Sequence, residues 1–179
     1  MVAAARSCAG LDAVLLVPAG EPPHRPGAHA SPADRLAMCR LALGGIDGAA
    51  VSDIEVRRPG RSYTIDTLRE LAADNPGDEL HLVLGWDAAR LLPTWRQPQE
   101  VLALAPLVVL PRPGMPLPGP GDLAAAGIPE DRVVVCTGST PAINATDLRR
   151  RIARGAALDG LVPEAVERYI QIHNLYREG

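Results

Sequence analysis

The chain contains no lysine and no phenylalanine, and aromatic residues make up only 3% of its 179 positions. All 18 basic residues are arginines, so any phosphate gripped here must be gripped by guanidinium, backbone N–H or imidazole, never by an ammonium group. Long apolar runs are missing too, and none approaches the roughly 20 residues that a membrane-spanning helix needs. The chain opens without a basic segment leading into an apolar one, which predicts no secretion signal. A net charge of −3 argues against a nucleic-acid-coating protein, whose surface would be basic. Cysteine is scarce. Cys8, Cys39 and Cys136 are odd in number and widely spaced, which predicts neither a disulfide framework nor a zinc site and makes a reducing cytoplasm the default location.

What is present points to one globular domain over residues 1–179, with 47% apolar residues to build a core. Met1 to Cys8 is Ala-rich and helix-prone but has no capping residue ahead of it. Ala13 to Val17 is an unalternated apolar run, which suits a buried parallel strand. Ser31-Pro32-Ala33-Asp34 is a helix start, with a capping hydroxyl, an early proline and an early acid. Residues 49–57 predict a strand around Val51, Ile54 and Val56, and Tyr63-Thr64 opens another helix. Further strands are expected at Leu80 to Leu84, Leu107 to Leu110 and Arg132 to Cys136. Between and after them, residues 86–92, 98–104, 144–154 and 163–173 predict helices, and 111–121 a Pro/Gly loop. Strands separated by helices mean an α/β fold with a mostly parallel sheet, whose ligands sit beyond the carboxyl ends of strands.

The loops at those ends carry the candidate chemistry. Residues 18–30 form a Pro-rich loop with Pro23, His24 and Arg25, stiff enough to present N–H groups at low ordering cost, or else a rigid connector. Thr64 stands at a helix start, where free N–H groups form an anion or amide site; an ordinary capping residue would look the same. Gly85 permits close approach of a ligand, and Asp87 is a carboxylate suited to ribose hydroxyls. Trp86 and Trp95 each read as a stacking surface or as a core residue. Asn144 and Thr146 stand at a helix N-terminus with Arg149 one turn on. Capping groups, dipole and guanidinium then converge as in a polyphosphate site, whereas Arg150, Arg151 and Arg154 would suit a solvated basic face.

In this order and spacing, the segments VPAGEPPHRP, RRPGRSYTIDTLREL, LGWDAARLLPTW, LVVLPRPGMPL, INATDLRRRI and LVPEAVERYIQIHNLY resemble bacterial nicotinate-nucleotide adenylyltransferases. The resemblance runs from about Leu11 to Tyr176 and implies a Rossmann-like nucleotidyltransferase fold. It implies transfer of the adenylyl group of ATP to nicotinate mononucleotide in the cytoplasm. Magnesium is expected, held mainly by the ATP phosphates, with no nucleic acid or membrane partner and with homo-oligomerisation left open. By the same resemblance, Gly85, Asp87, Thr146 and Arg149 would hold ATP. Pro23, His24, Arg25, Thr64, Trp95 and Arg112 would face the nicotinate nucleotide or border its cleft.

Two departures accompany the match. Members of that family begin with a strand and a Gly-rich turn of the type GGTFDPxHxGH. Here Met1 to Ala5 matches the helix that follows it, so the first strand and a catalytic His pair are expected to be missing. The phosphate motif, usually ISSTxIR, is Ile143 to Arg149 with Asn144 and Ala145 in place of two serines. The 179-residue chain as it stands is accordingly expected to be inactive and marginally stable. A non-catalytic nucleotide-binding remnant and an adenylyltransferase for another phosphorylated cofactor precursor are the alternative readings.

Overall fold

The computed structural model describes residues 1–22, 30–138, 140 and 142–177, which fall into two units. One unit comprises Met1–Val14 and Tyr63–Ala142, the other Leu15–Ser62 and Ile143–Gly179. In chain order the elements begin with α1 (Val2–Ala9), β1 (Val14–Leu16), α2 (Pro32–Leu43) and β2 (Ala49–Val51). Next come α3 (Ile54–Arg57), α4 (Thr64–Asp74), β3 (Leu82–Gly85), α5 (Trp86–Ala89), α6 (Pro98–Leu104) and β4 (Leu107–Leu110). The chain ends with α7 (Pro120–Ala125), β5 (Val133–Val135), α8 (Ala145–Ala153) and α9 (Glu164–Ile172).

The first unit is built on a parallel sheet of order β3-β4-β5, with Leu82 opposite Leu107 and Leu107 opposite Val133. Parallel neighbours require a crossover, which α5 and α6 supply between β3 and β4 and α7 supplies between β4 and β5. The central strand β4 is enclosed on both faces. Leu107 and Val109 pack with Ile65 and Leu68 of α4, Val101 and Leu102 of α6, and Leu123 of α7. Val108 and Leu110 pack with Ala5 of α1 and Cys136 on the opposite face. A fully buried side chain of this size contributes about 1.5–3 kcal/mol, so β4 anchors the unit.

This packing corrects the expectation of unpaired cysteines: Cys8 and Cys136 form a disulfide, their Cα atoms 5.8 Å apart. They are 128 residues apart in sequence, but α1 lies over β4 and Cys136 directly follows β5, its N–H bonded to Val109 O at 2.9 Å. Chain separation is no guide to distance once a sheet brings its strands together. Cys39 is free and half-buried.

In the second unit β1 pairs with β2, the Ser52 N–H donating to Leu16 O at 3.0 Å. The expected burial of the first apolar run is not observed: Leu15 and Leu16 are 42% and 39% exposed. No second neighbour pairs with β1 among the described residues, so part of that strand faces solvent. The predicted strand over 49–57 is also shorter, ending at Val51, while Ile54–Arg57 is helical. Ile54 and Val56, whose alternation reads as a pleat, both lie on this one-turn helix. Its turn is closed by an ion pair from Arg57 Nε to Asp53 Oδ1 at 2.8 Å.

The helix starts behave as their residues dictate. Ser31 caps α2 in a capping box, its Oγ accepting from Asp34 N at 3.1 Å while Asp34 Oδ2 accepts from Ser31 N at 3.3 Å. Helix α7 begins at the edge of the segment expected to be a loop. Pro120 suits a first helical position, and Asp122 Oδ2 accepts from Gly119 N at 2.9 Å. The second unit has its own apolar cluster of Leu158, Val166 and Ile170, against which Met38, Leu148, Ile152 and Tyr176 pack.

Candidate functional site

On the sheet unit, the candidate residues gather where strands end. Gly85 closes β3 and Asp87 lies in the first turn of α5, while Arg112 stands two residues beyond β4. Because β3 and β4 are in register, Gly85 lies opposite Leu110, which brings the two strand ends side by side. The Arg112 guanidinium pairs with the Asp87 carboxylate there. Gly85 leaves room for that carboxylate, since a Cβ there would lie 2.6 Å from Asp87 Oδ1. A larger residue at 85 would need the Asp87 side chain to shift.

A second group surrounds the start of α4. Thr64 is the first helical residue and Tyr63 precedes it, with no side chain capping the helix. Asp66 N donates to Tyr63 O at 3.1 Å, and no side chain caps the N–H groups of Thr64 and Ile65 ahead of it. Arg96 lies over the Tyr63 ring, 4.8 Å from its centroid, and reaches Asp66 Oδ2 at 3.5 Å. Its neighbour Trp95, at the end of a short 3-10 turn over Leu92–Thr94, is half-buried against the core. Trp95 is therefore placed both to pack and to offer an indole face, whereas Trp86 is a core residue, 9% exposed. Arg96 thus links Trp95 to the start of α4. The adjacent Trp-Arg pair in the sequence is the signal that could have singled it out.

On the second unit, α8 begins as expected. Asn144 Oδ1 accepts from Asp147 N at 2.8 Å, and Arg149 Nη2 donates back to Thr146 Oγ1 at 3.4 Å. Arg151 turns away, its Nη1 donating to Ala157 O at 3.3 Å, and Arg150 pairs with Asp147 at 3.4 Å. Asp147 itself takes the Asn144 amide, so one carboxylate already sits at this helix start. Burial pushes the Tyr176 hydroxyl pKa up, and the nearby Arg149 and Arg35 guanidinia pull it the other way.

Pro23, His24 and Arg25 lie outside the described residues. The two ends of their loop are described and belong to the same unit as α2. Arg35 of α2 donates to Ala30 O and Gly20 O at 2.6 and 2.7 Å and also to Ala19 O. Ser62 Oγ accepts from Gly20 N and Glu21 N at 2.9 and 3.2 Å. Neither Arg35 nor Ser62 stood out in the sequence, where each reads as an ordinary helix or loop residue.

A metal-binding cluster would need several converging acids, histidines or cysteines. Among the described residues no group of three or more comes together. Asp87, the acid at the strand ends, is engaged by Arg112. No helix of the described residues is long and apolar enough to cross a membrane.

A family model described as cytidylyltransferase-like matches residues 1–151. A probable nicotinate-nucleotide adenylyltransferase of Synechococcus sp. (strain JA-3-3Ab) is 44% identical over 173 residues, covering 93% of this chain and 81% of that protein. One from Roseiflexus sp. (strain RS-1) is 44% identical over 170 residues, covering 93% and 84%. Among solved structures, Plasmodium falciparum nicotinic acid mononucleotide adenylyltransferase complexed with NaAD superposes with a TM-score of 0.76, covering 93% of this chain and 83% of that one. At 13% identity that likeness speaks to the Rossmann-like fold alone.

Proposed function

Because the chain belongs to the nicotinate-nucleotide adenylyltransferase family, within the cytidylyltransferase-like nucleotidyltransferases, we propose that it transfers the adenylyl group of ATP to nicotinate mononucleotide. The products are deamido-NAD and pyrophosphate, and the place of reaction is the cytoplasm. A phosphate oxygen of nicotinate mononucleotide attacks the α-phosphorus of ATP, and the bond from that phosphorus to the bridging oxygen of pyrophosphate breaks. A phosphate monoester is mostly dianionic at neutral pH, its second pKa being about 6, so the attack needs no general base. The protein's task is alignment of two polyanions and neutralisation of the departing charge.

The residues divide that task by their chemistry. Arg149, folded back onto Thr146, offers a guanidinium at a helix N-terminus for the triphosphate. Asp87, held by Arg112 over Gly85, offers carboxylate oxygens to the hydroxyls of a ribose. Thr64 and the uncapped N–H groups of α4, beside Trp95, suit the carboxylate and ring of nicotinate. The family resemblance assigns Pro23, His24 and Arg25 to the nicotinate nucleotide as well. Magnesium would be held mainly by the ATP phosphates.

The observation that carries the acid substrate is the α4 start, which lacks any side chain to satisfy its first N–H groups. The test compares pyrophosphate release with nicotinate and nicotinamide mononucleotides in the presence of MgATP. Faster release with nicotinate mononucleotide is expected, because a carboxylate fits free N–H groups better than a carboxamide. Equal rates would remove the acid preference, and no release with either would remove the activity.

A further inference from the structure

We infer that Tyr176 is a positioning residue for Arg149, its ring bracing the apolar cluster on which α8 rests; this builds on the assignment of Arg149 to the ATP triphosphate. Helix α8 has little of its own to hold it. None of its residues is buried, and Leu148 and Ile152 are the side chains it sets against the cluster of Leu158, Val166 and Ile170. Leu148 directly precedes Arg149, so a rotation of Leu148 in its seat carries the guanidinium away from Thr146. Arg149 is also half-buried, whereas Arg150, Arg151 and Arg154 are exposed.

The chain takes an unusual path to bring Tyr176 onto the same cluster. After α9, Leu175 N donates to Ile170 O at 3.0 Å and Asn174 N donates to Gln171 O at 3.3 Å, the paired bonds of a Schellman turn. Asn174 adopts the left-handed backbone at φ 50°, which asparagine tolerates. Tyr176 adopts it too, at φ 63°, which a bulky side chain rarely does. Such a backbone persists where the surrounding packing over-determines it. Here Leu175 and Tyr176 are half-buried against the cluster, while the residues on either side, Asn174 and Arg177, are exposed. The guanidinia of Arg149 and of Arg35 in α2 lie near enough to act on the Tyr176 hydroxyl, so the ring stands on the side of α8 that carries Arg149. A tyrosine suits the place, since its rigid ring covers apolar area while its hydroxyl accepts a polar neighbour. All of these residues belong to the second unit.

The test uses the full chain and titrates MgATP and nicotinate mononucleotide by calorimetry. Tyr176→Ala should weaken MgATP binding about tenfold, as expected when a phosphate contact is misplaced, and leave nicotinate mononucleotide within about twofold. Tyr176→Phe, which keeps the ring, should bind both like the wild type. Added to Arg149→Ala, Tyr176→Ala should cost less than about twofold more, because the two act through one contact. Amide hydrogen exchange in Tyr176→Ala should quicken in α8 and stay unchanged in β2. If Tyr176→Ala does not fold, Tyr176→Leu replaces it, with a loss of about threefold expected from the smaller change. Unaltered MgATP binding, equal weakening of both nucleotides, a loss fully additive with that of Arg149→Ala, or Tyr176→Phe as weak as Tyr176→Ala overturns the assignment. A wild type that shows the expected binding pattern but releases no pyrophosphate overturns the proposed reaction and leaves the role of Tyr176 standing. A wild type that binds no MgATP overturns both.

Discussion

Asp87 stands at the end of a strand whose neighbour, β4, is wholly buried, and its carboxylate is engaged by Arg112, 25 residues further along the chain. Arg149, by contrast, reaches Thr146, three residues back on its own helix. Both groups are assigned to the nucleotide, yet one is held by tertiary packing and the other by helix geometry. A local arrangement survives changes elsewhere in the fold, because it needs only α8 and its cap. An arrangement at strand ends fails when register or core packing fails. The same contrast separates β4, 0–2% exposed along its length, from β1, where Leu15 and Leu16 face solvent.

The largest effect should come from cutting into the enclosed strand. Leu107→Ala removes a side chain with 0% exposure and should cost about 2–5 kcal/mol in urea unfolding. Leu15→Ala, at 42% exposure, should stay within about 0.5 kcal/mol. A comparable loss from both would break the contrast and mean that β1 is covered in solution. Next comes the disulfide, whose two cysteines belong to the sheet unit and lie 128 residues apart in sequence. Cys8→Ser or added reductant should lower stability by about 2–4 kcal/mol, roughly 5–15 °C in Tm. Cys39→Ser should shift it little, and a Tm indifferent to reductant would show that the bridge contributes nothing.

Activity provides the next test. Arg149→Ala should lower kcat/KM for ATP by about ten- to a hundredfold, the worth of one charge-assisted phosphate contact of roughly 1.5–3 kcal/mol. Arg151→Ala, whose guanidinium turns to Ala157 O, should change it little. Similar losses in both would reduce α8 to a basic surface. The smallest effect concerns acid. The Ser31 hydroxyl holds the Asp34 carboxyl below its ordinary value of 3.8; burial opposes this and the Tyr169 hydroxyl assists it. A carboxylate lowered by folding adds stability above its unfolded pKa and loses it as the pH falls through the folded one. The stability gap between wild type and Asp34→Ala should therefore narrow as the pH drops below 3.8, followed by circular dichroism. A gap that widens in acid would reverse the assigned direction.

Much of this architecture was legible because it rests on neighbours in the chain. Ser31 and Asn144 announce helices through side chains that bond N–H groups three residues on, and that geometry needs no other part of the protein. The apolar runs at 82–85 and 107–110 became parallel strands because no polar alternation allowed them a wet face. Arg149 could be separated from Arg151 by helical phase alone. Within 49–57 the alternation of Ile54 and Val56 resembles a strand, yet both fall on the single turn of α3, which the Arg57–Asp53 ion pair closes.

By itself, then, the sequence determined the α/β class, the helix starts and the segments whose order marks the family, all of which depend on short-range bonding and periodicity. Only the tertiary structure decided that Cys8 meets Cys136, that Arg112 holds Asp87 over a glycine, that Arg96 covers Tyr63, and that Arg35 joins Ala19 and Gly20 to Ala30. In most of these pairs the partners are far apart along the chain. Their meeting depends on strand order, register and the packing of helices on a sheet, and no local propensity encodes those.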